Sequence, residues 1–296
     1  RRPPTPVRLP LPPDLPLVGR EAEMAALGRA EDRRGSGRAT VVRIRGESGM
    51  GKSALVSQFV RRLDQRERHV VLRGRCHPRV SVPYKALDEV TRQLRRFLLT
   101  RRARARAELR PPNVGALEQV FPVLRGVWVA GALEGSLARD PAELRRQGFA
   151  ALRAVLHAIS ARRGLVLWID DLQWGDLDSL RFLEALLRGP DTPPVLLLLS
   201  YRSEDEGTAP ALRALDATAL GDGVRVLEVG PIDVVAVRAL VARLLGRDDA
   251  AVAAAAIRIA DESGGSPFFA AELARSLEDM RPDADPVGAL DEVVRR

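Results

Sequence analysis

Apolar positions change their period along this chain, and each change marks an element. Thr40-Val-Val-Arg-Ile-Arg45, His69-Val-Val-Leu-Arg73 and Val224-Arg-Val-Leu-Glu228 are short β-branched runs that read as strands. Leu165-Val-Leu-Trp-Ile169 and Val195-Leu-Leu-Leu-Leu199 are continuous apolar runs, the pattern of strands buried on both faces of a parallel sheet. Helical spacing fills the intervals. A first helix is predicted from Glu21 to about Arg33, closed by Gly35-Ser-Gly37, and Leu55, Phe59 and Leu63 fall at i, i+4 and i+8 of a second. Residues from about Val82 to Ser160 read as helical, with breaks near Pro111-Pro112 and Pro141. Leu180, Leu183 and Leu187 share one face of the helix before the fourth strand. From Gly230-Pro-Ile-Asp233 onward the pattern is purely helical, and Ser266-Pro267 reads as an N-cap and N1 pair opening a helix that carries Phe269, Leu273 and Leu277. Strands alternating with helices predict an α/β fold with a five-stranded parallel sheet flanked by helices, followed by a small C-terminal helical domain.

Composition divides this picture into parts. Residues 1–16 are rich in proline without apolar periodicity and read as an extended linker. The sheet domain is expected over 17–230, the helical domain over 231–282, and the start of a further domain over 283–296. The chain opens on Arg1 and stops in mid-pattern at Arg296, which reads as a piece of a longer protein. No apolar run approaches the roughly 20 residues that span a bilayer, so a soluble protein is expected. The single cysteine, Cys76, allows no internal disulfide, fits a reducing cytoplasm and reads as a small packed side chain. A net charge of +8 invites a nucleic-acid reading. However, the arginines are spread along the chain and interleaved with acids, and aromatic residues make up only 4%, leaving few platforms for base stacking. The one dense cluster, Arg101-Arg-Ala-Arg-Ala-Arg106, reads first as a solvated helix end, with anion or nucleic-acid contact as the alternative.

Candidate chemistry starts from a compositional oddity. Of 47 basic residues only Lys52 and Lys85 are lysines, and Lys52 lies in Gly46-Glu-Ser-Gly-Met-Gly-Lys-Ser53. This run fits the phosphate-binding loop G-x-x-x-x-G-K-[ST], and it stands between a predicted strand and a predicted helix, as that loop requires. Gly46, Glu47, Ser48, Gly49, Met50, Gly51, Lys52, Ser53 and Ala54 are therefore candidates for phosphate contact through backbone N–H groups and the positive end of the helix. Lys52 would bridge the β- and γ-phosphates, and the Ser53 hydroxyl would ligate Mg²⁺. Further along, Leu165–Ile169 runs into Asp170-Asp171. Asp170 would hold the same cation, since a hard cation takes carboxylate oxygen, and Asp171 would polarise the attacking water. Arg202, at the end of the next strand, is a candidate to face the γ-phosphate.

The set of Leu17-Val-Gly-Arg-Glu21, Gly46–Ser53, Leu165–Asp171 with Leu172-Gln-Trp-Gly175, Ser200-Tyr-Arg202 and Ser263-Gly-Gly-Ser-Pro-Phe-Phe269 resembles the STAND branch of AAA+ P-loop ATPases. Gly74-Arg-Cys76 and Val82-Pro-Tyr84-Lys-Ala-Leu87 resemble the bacterial modules of that branch attached to kinase, cyclase, repeat or DNA-binding domains. The resemblance implies an adenine bordered by Val18 and Arg20, with Gly19 between them. It also implies γ-phosphate sensing by Arg202 and a lid closed over the base by Pro231. It makes the Gly-Gly-Ser-Pro-Phe-Phe run part of the lid's packing. It further implies ATP or ADP with Mg²⁺ as ligands, nucleotide-dependent self-association and an effector domain outside this chain, and slow hydrolysis is expected because no motif here supplies an obvious in-chain arginine finger. Two other readings stay open: a nucleic-acid remodelling ATPase of the origin-recognition or helicase-loader type, and a nucleotide-binding scaffold without useful hydrolysis.

Overall fold

The computed structural model describes residues 16–65, 68–78, 84–128, 140–188, 192–217, 220 and 223–279. Nearly all of the expected linker, the expected start of a further domain, and Val82-Pro83 lie outside the described residues. The strands are β1 Thr40–Gly46, β2 His69–Arg75, β3 Gly164–Asp170, β4 Val195–Arg202 and β5 Val224–Glu228. They form one parallel sheet in the order β2-β3-β4-β1-β5. Within it Arg73 pairs with Trp168, Arg75 with Asp170, and Ile169 with Leu199. Leu165 to Ile169 and Val195 to Leu199 are all buried, as continuous apolar runs demand of central strands.

Three helices follow the expected pattern closely: α1 Glu21–Gly35, α2 Lys52–Asp64 and α7 Leu177–Leu187. On α7 the buried face is Leu180, Leu183 and Leu186, and Leu187 is only half-buried. The stretch read as helical between the second and third strands resolves into α3 Lys85–Leu99, α4 Ala103–Ala107, α5 Val114–Val120 and α6 Pro141–Ser160. The break expected near Pro141 is a helix start. The proline opens α6 at the first helical position, where its missing N–H costs nothing, and the Asp140 carboxylate caps the N–H groups of Ala142 and Glu143. After α8 Pro210–Ala217 and β5 come α9 Val234–Leu245, α10 Ala250–Ser263 and α11 Pro267–Asp279. Asp176, Asp233 and Asp249 cap α7, α9 and α10, while α9 and α10 both end on left-handed glycines, Gly246 and Gly264.

The chain forms two compact units. The first contains Gly28–Ile44 and Arg62–Val226. Its core joins β2, β3 and β4 to α3, α6 and α7, and it gathers four of the scarce aromatic residues into one cluster. Tyr84, Phe121, Phe149 and Phe182 pack there with ring centroids 5.3 to 6.4 Å apart. Cys76 is buried in the same core, and burial foremost pushes its thiol up to about 12, as expected of a packed side chain.

The second unit contains residues 16–27, Arg45–Arg61 and 227–279. Its core is small: Val18, Ile232, Val237, Leu240, Val252 and Ile259, with Ala270, Ala271 and Ala274 of α11. Phe269 was expected to pack there. Instead Phe268 and Phe269 are 50% and 56% exposed, stacked edge-on against each other, and alanines form the buried face of α11. No described helix is long and apolar enough to cross a membrane.

Candidate functional site

In the second unit the chain leaves β1 at Gly46 and enters α2 at Lys52, so the loop Gly46–Gly51 joins a strand end to a helix start. Gly49 and Gly51 have φ of 84° and 85°, a region open to glycine and strained for other residues. Gly46 is required for a different reason: a Cβ there would lie 2.1 Å from the carbonyl oxygen of Val229, whose own N–H donates to the Arg45 carbonyl at 2.8 Å. Gly46→Ala is therefore expected to lose about 3 kcal/mol of stability through overpacking against backbone. Gly28→Ala, inside α1 with open space around its Cβ, should gain about 0.5 to 1 kcal/mol. Urea unfolding of the two variants beside the parent checks both signs.

The loop's polar groups are already engaged. Lys52 Nζ donates to the carbonyls of Gly46 at 2.6 Å and Glu47 at 2.7 Å. The Gly49 carbonyl accepts from the Phe268 N–H and from Ser266 Oγ, both at 3.3 Å. Arg20 is 5% exposed and holds three partners: the Glu23 carboxylate at 2.8 Å, the Met50 carbonyl at 3.0 Å and the Gly230 carbonyl. One guanidinium thus ties the entry segment, the phosphate-type loop and the start of the C-terminal helices together. Beside it Val18 is buried against the small core. Gly19 has φ 62°, and a Cβ there would lie 2.6 Å from that of Ala236. Pro231 is exposed; the next residue, Ile232, donates its N–H to the Gly265 carbonyl at 2.9 Å. Glu47 and Ser48 are exposed, Met50 is buried, and Gly49, Gly51, Lys52, Ser53 and Ala54 are half-buried.

In the first unit, Asp170, Asp171 and Arg202 come together at the carboxyl ends of β3 and β4. Asp170 is 2% exposed. Its carboxylate accepts from Ser200 Oγ at 2.7 Å and lies 3.3 Å from Arg73 Nη2. Ser200 Oγ in turn accepts from Trp168 Nε1 at 2.9 Å, and the Arg73 guanidinium sits 4.1 Å over the Trp168 ring. Asp171 adopts a left-handed conformation, φ 56° and ψ 42°, uncommon for a residue other than glycine, asparagine or aspartate. Its carboxylate pairs with Arg75 at 2.9 Å and accepts from Gln173 Nε2 at 3.2 Å. Gln173 is buried, and its carbonyl oxygen accepts the Arg202 N–H at 3.4 Å. The result is a fixed pair of carboxylates with different surroundings: Asp170 buried and hydrogen-bonded, Asp171 partly open and paired with an exposed arginine.

Arg73, Arg75, Ser200 and Gln173 did not figure in the sequence reading as parts of this arrangement. The alternation of Arg73 and Arg75 along β2 was the available signal, but only the strand register converts it into carboxylate contacts. Ser266 is likewise more than a helix opener, because its hydroxyl reaches Gly49.

Comparison with known proteins adds to this geometry. A family model described as "AAA ATPase domain" matches residues 16–198. An uncharacterized protein of Rhizobium meliloti (strain 1021) is 30% identical over 220 residues, which cover 68% of this chain but only 21% of that protein. Among solved structures, the Walker-type ATPase of Pyrococcus abyssi superposes with a TM-score of 0.54 at 14% identity, covering 94% of this chain and 72% of its own. The Aeropyrum pernix ORC2 protein, solved in ADPNP–ADP complexes, gives 0.56 at 16% identity, with 96% and 69% covered. The Aeropyrum pernix ORC1 protein, solved in complex with DNA, gives 0.51 at 17%, with 95% and 66% covered. At such identities these structures share a fold.

Proposed function

The chain belongs to the AAA ATPase domain family, and from that premise we propose that it is an ATP-binding, slowly hydrolysing switch module whose nucleotide state sets its conformation and self-association. In this reading the C-terminal helices act as a lid, and the module controls an effector domain outside the chain. The loop fits a nucleotide's phosphates. Its glycines leave the backbone bare, and the Lys52 ammonium lies on two of the loop's own carbonyls, partners that a phosphate oxygen would replace. Ser53 would offer a hydroxyl oxygen and Asp170 a carboxylate oxygen, the hard donors that suit Mg²⁺, which would neutralise charge on the phosphates. Asp171 would orient and deprotonate the attacking water, and Arg202 would respond to the terminal phosphate. Val18, Gly19, Arg20 and Pro231 would border the base.

One observation carries the switch reading. The carbonyls of Gly49 and Met50, inside the phosphate-type loop, are held by Ser266 and Phe268 of the C-terminal helices and by Arg20, which also holds Gly230. Any change in this loop on binding phosphate would be felt at once by the helical segment. A ligand shifts such an equilibrium only by as much as it favours one arrangement over the other, and the terminal phosphate is the group that differs between ATP and ADP. Sedimentation velocity of the chain with Mg²⁺ and a non-hydrolysable ATP analogue is expected to show a larger species than with ADP. Identical profiles in the two nucleotides would remove the switch reading.

The relative solved with DNA and the net charge of +8 favour a second reading, a nucleic-acid remodelling ATPase. Against it, much of the arginine is paired locally with acids three or four residues away, as in Arg92–Asp88, Arg146–Glu143, Arg181–Asp178 and Arg275–Glu272. DNA-stimulated hydrolysis, with binding that falls steeply as salt rises, would establish this second reading in place of the first.

A further inference from the structure

Where β2 and β3 begin, the first unit contains an open cavity of about 980 Å³. Arg34, Arg68, Arg162, Arg163 and His69 line it, against one acid among the described residues, Glu31. That acid is already used. Burial works against the Glu31 carboxylate, and hydrogen bonds from His69 and Arg34 outweigh it, holding its pKa below the usual value. Arg34 reaches it through two nitrogens, at 2.6 and 2.8 Å, and His69 Nε2 lies 2.7 Å away. Of the rim, Arg162 pairs with Glu108 at 2.9 Å, whereas Arg68 makes no ion pair among the described residues.

The cationic surface continues beyond the wall. Arg101, the first residue of the dense arginine run, packs 4.3 Å over the Phe97 ring, and its pKa is lowered by burial and by the charge of Arg163. Two buried nitrogens here, Arg101 Nε and His69 Nδ1, have no hydrogen-bond partner among the described residues. The chain concentrates four arginines around this concavity, and gathering that much positive charge costs stability unless an anion is bound.

We propose that this cavity is a binding site for a small multivalent oxyanion, an oligophosphate or phosphate ester, separate from the phosphate-type loop. Guanidinium forks match phosphate oxygens in pairs. The cavity falls within the roughly 300–1,000 Å³ typical of small-ligand sites, and no Phe, Tyr or Trp among the described residues lines it, so it reads charge and not a base. His69 and Gly164 stand at the amino ends of β2 and β3, whereas Asp170 ends β3. Six residue steps along that strand separate the two places by about 20 Å.

The test is calorimetric titration of inorganic pyrophosphate into the whole chain, in magnesium-free buffer with ADP saturating. One saturable site is expected in the parent and in Lys52→Ala, with affinity reduced at least about tenfold in Arg68→Ala/Arg163→Ala. Both arginines are exposed, and an unchanged melting temperature verifies folding. The proposal is overturned if the parent shows no saturable site, or if binding survives the double substitution and disappears in Lys52→Ala. It is equally overturned if Arg213→Ala/Arg238→Ala weakens binding as much, which would reduce the effect to net charge. A short single-stranded DNA that binds these same arginines more tightly than pyrophosphate would replace the small anion with a nucleic-acid backbone.

Discussion

Asp171→Asn is expected to lower ATP turnover by about 100-fold or more, the range of general-base loss, with ATP affinity changed by less than about threefold. Three features make this substitution informative. Asparagine tolerates the left-handed conformation that Asp171 adopts, so the backbone at the strand end is kept. Its side-chain oxygen can still accept from Gln173, which also holds the Arg202 N–H. The pair with Arg75 is lost, but Arg75 is 53% exposed, and an ion pair so open to water contributes little to stability. What remains is the loss of a basic oxygen at that position. Single-turnover hydrolysis beside an equilibrium binding measurement checks both halves. Unchanged turnover in this variant, together with loss of ATP binding in Lys52→Ala, would favour a scaffold without useful hydrolysis.

The elements of the sheet were largely legible, and the places where the reading fell short share a cause. Apolar runs mark apolar side chains and not the limit of burial: Ser200 and Tyr201 after the fourth run, and Asp170 after the third, are still buried. β2 continues through Gly74 and Arg75, and β4 through Ser200, Tyr201 and Arg202, because the hydrogen-bond ladder goes on after the apolar run has stopped. Those extra residues include the groups that hold the aspartates: Arg75 on Asp171 and Ser200 on Asp170. The site therefore grew at the polar margins of strands, where periodicity carries the least information.

Packing of the C-terminal helices misled for a related reason. A run with two phenylalanines reads as core, yet the buried contacts of α11 are made by Ala270, Ala271 and Ala274. Small side chains let helices approach closely, and the larger ones are then left outside. Contacts between distant residues were the least legible. Arg20 meets the Gly230 carbonyl across 210 residues, and nothing in a single sequence pairs them. The phosphate-type loop could be read because its chemistry is local: eight consecutive residues contain both the bare backbone and the cation.

Lys52→Arg is expected to weaken ATP binding about as severely as Lys52→Ala, by at least about 100-fold, although it keeps the charge. The parent ammonium donates to the Gly46 and Glu47 carbonyls at 2.6 and 2.7 Å, so the loop closes around a single compact donor. A guanidinium is a planar fork several ångströms across, and seating it would require the loop to widen. The loop is pinned on both sides. Gly46 lies so close to Val229 that even a Cβ would come within 2.1 Å of that carbonyl, and Gly49 and Met50 are held by Ser266, Phe268 and Arg20. Widening would thus have to break the links to the C-terminal helices, the links through which the nucleotide is proposed to act. The chain uses arginine for nearly all of its 47 basic positions, so lysine at this one is a departure from its own habit that the confined geometry explains. Equilibrium titration with a fluorescent ATP analogue, at matched melting temperature without nucleotide, measures the effect. Affinity within a few-fold of the parent would show that charge alone suffices there and that the loop is looser than its hydrogen bonds imply.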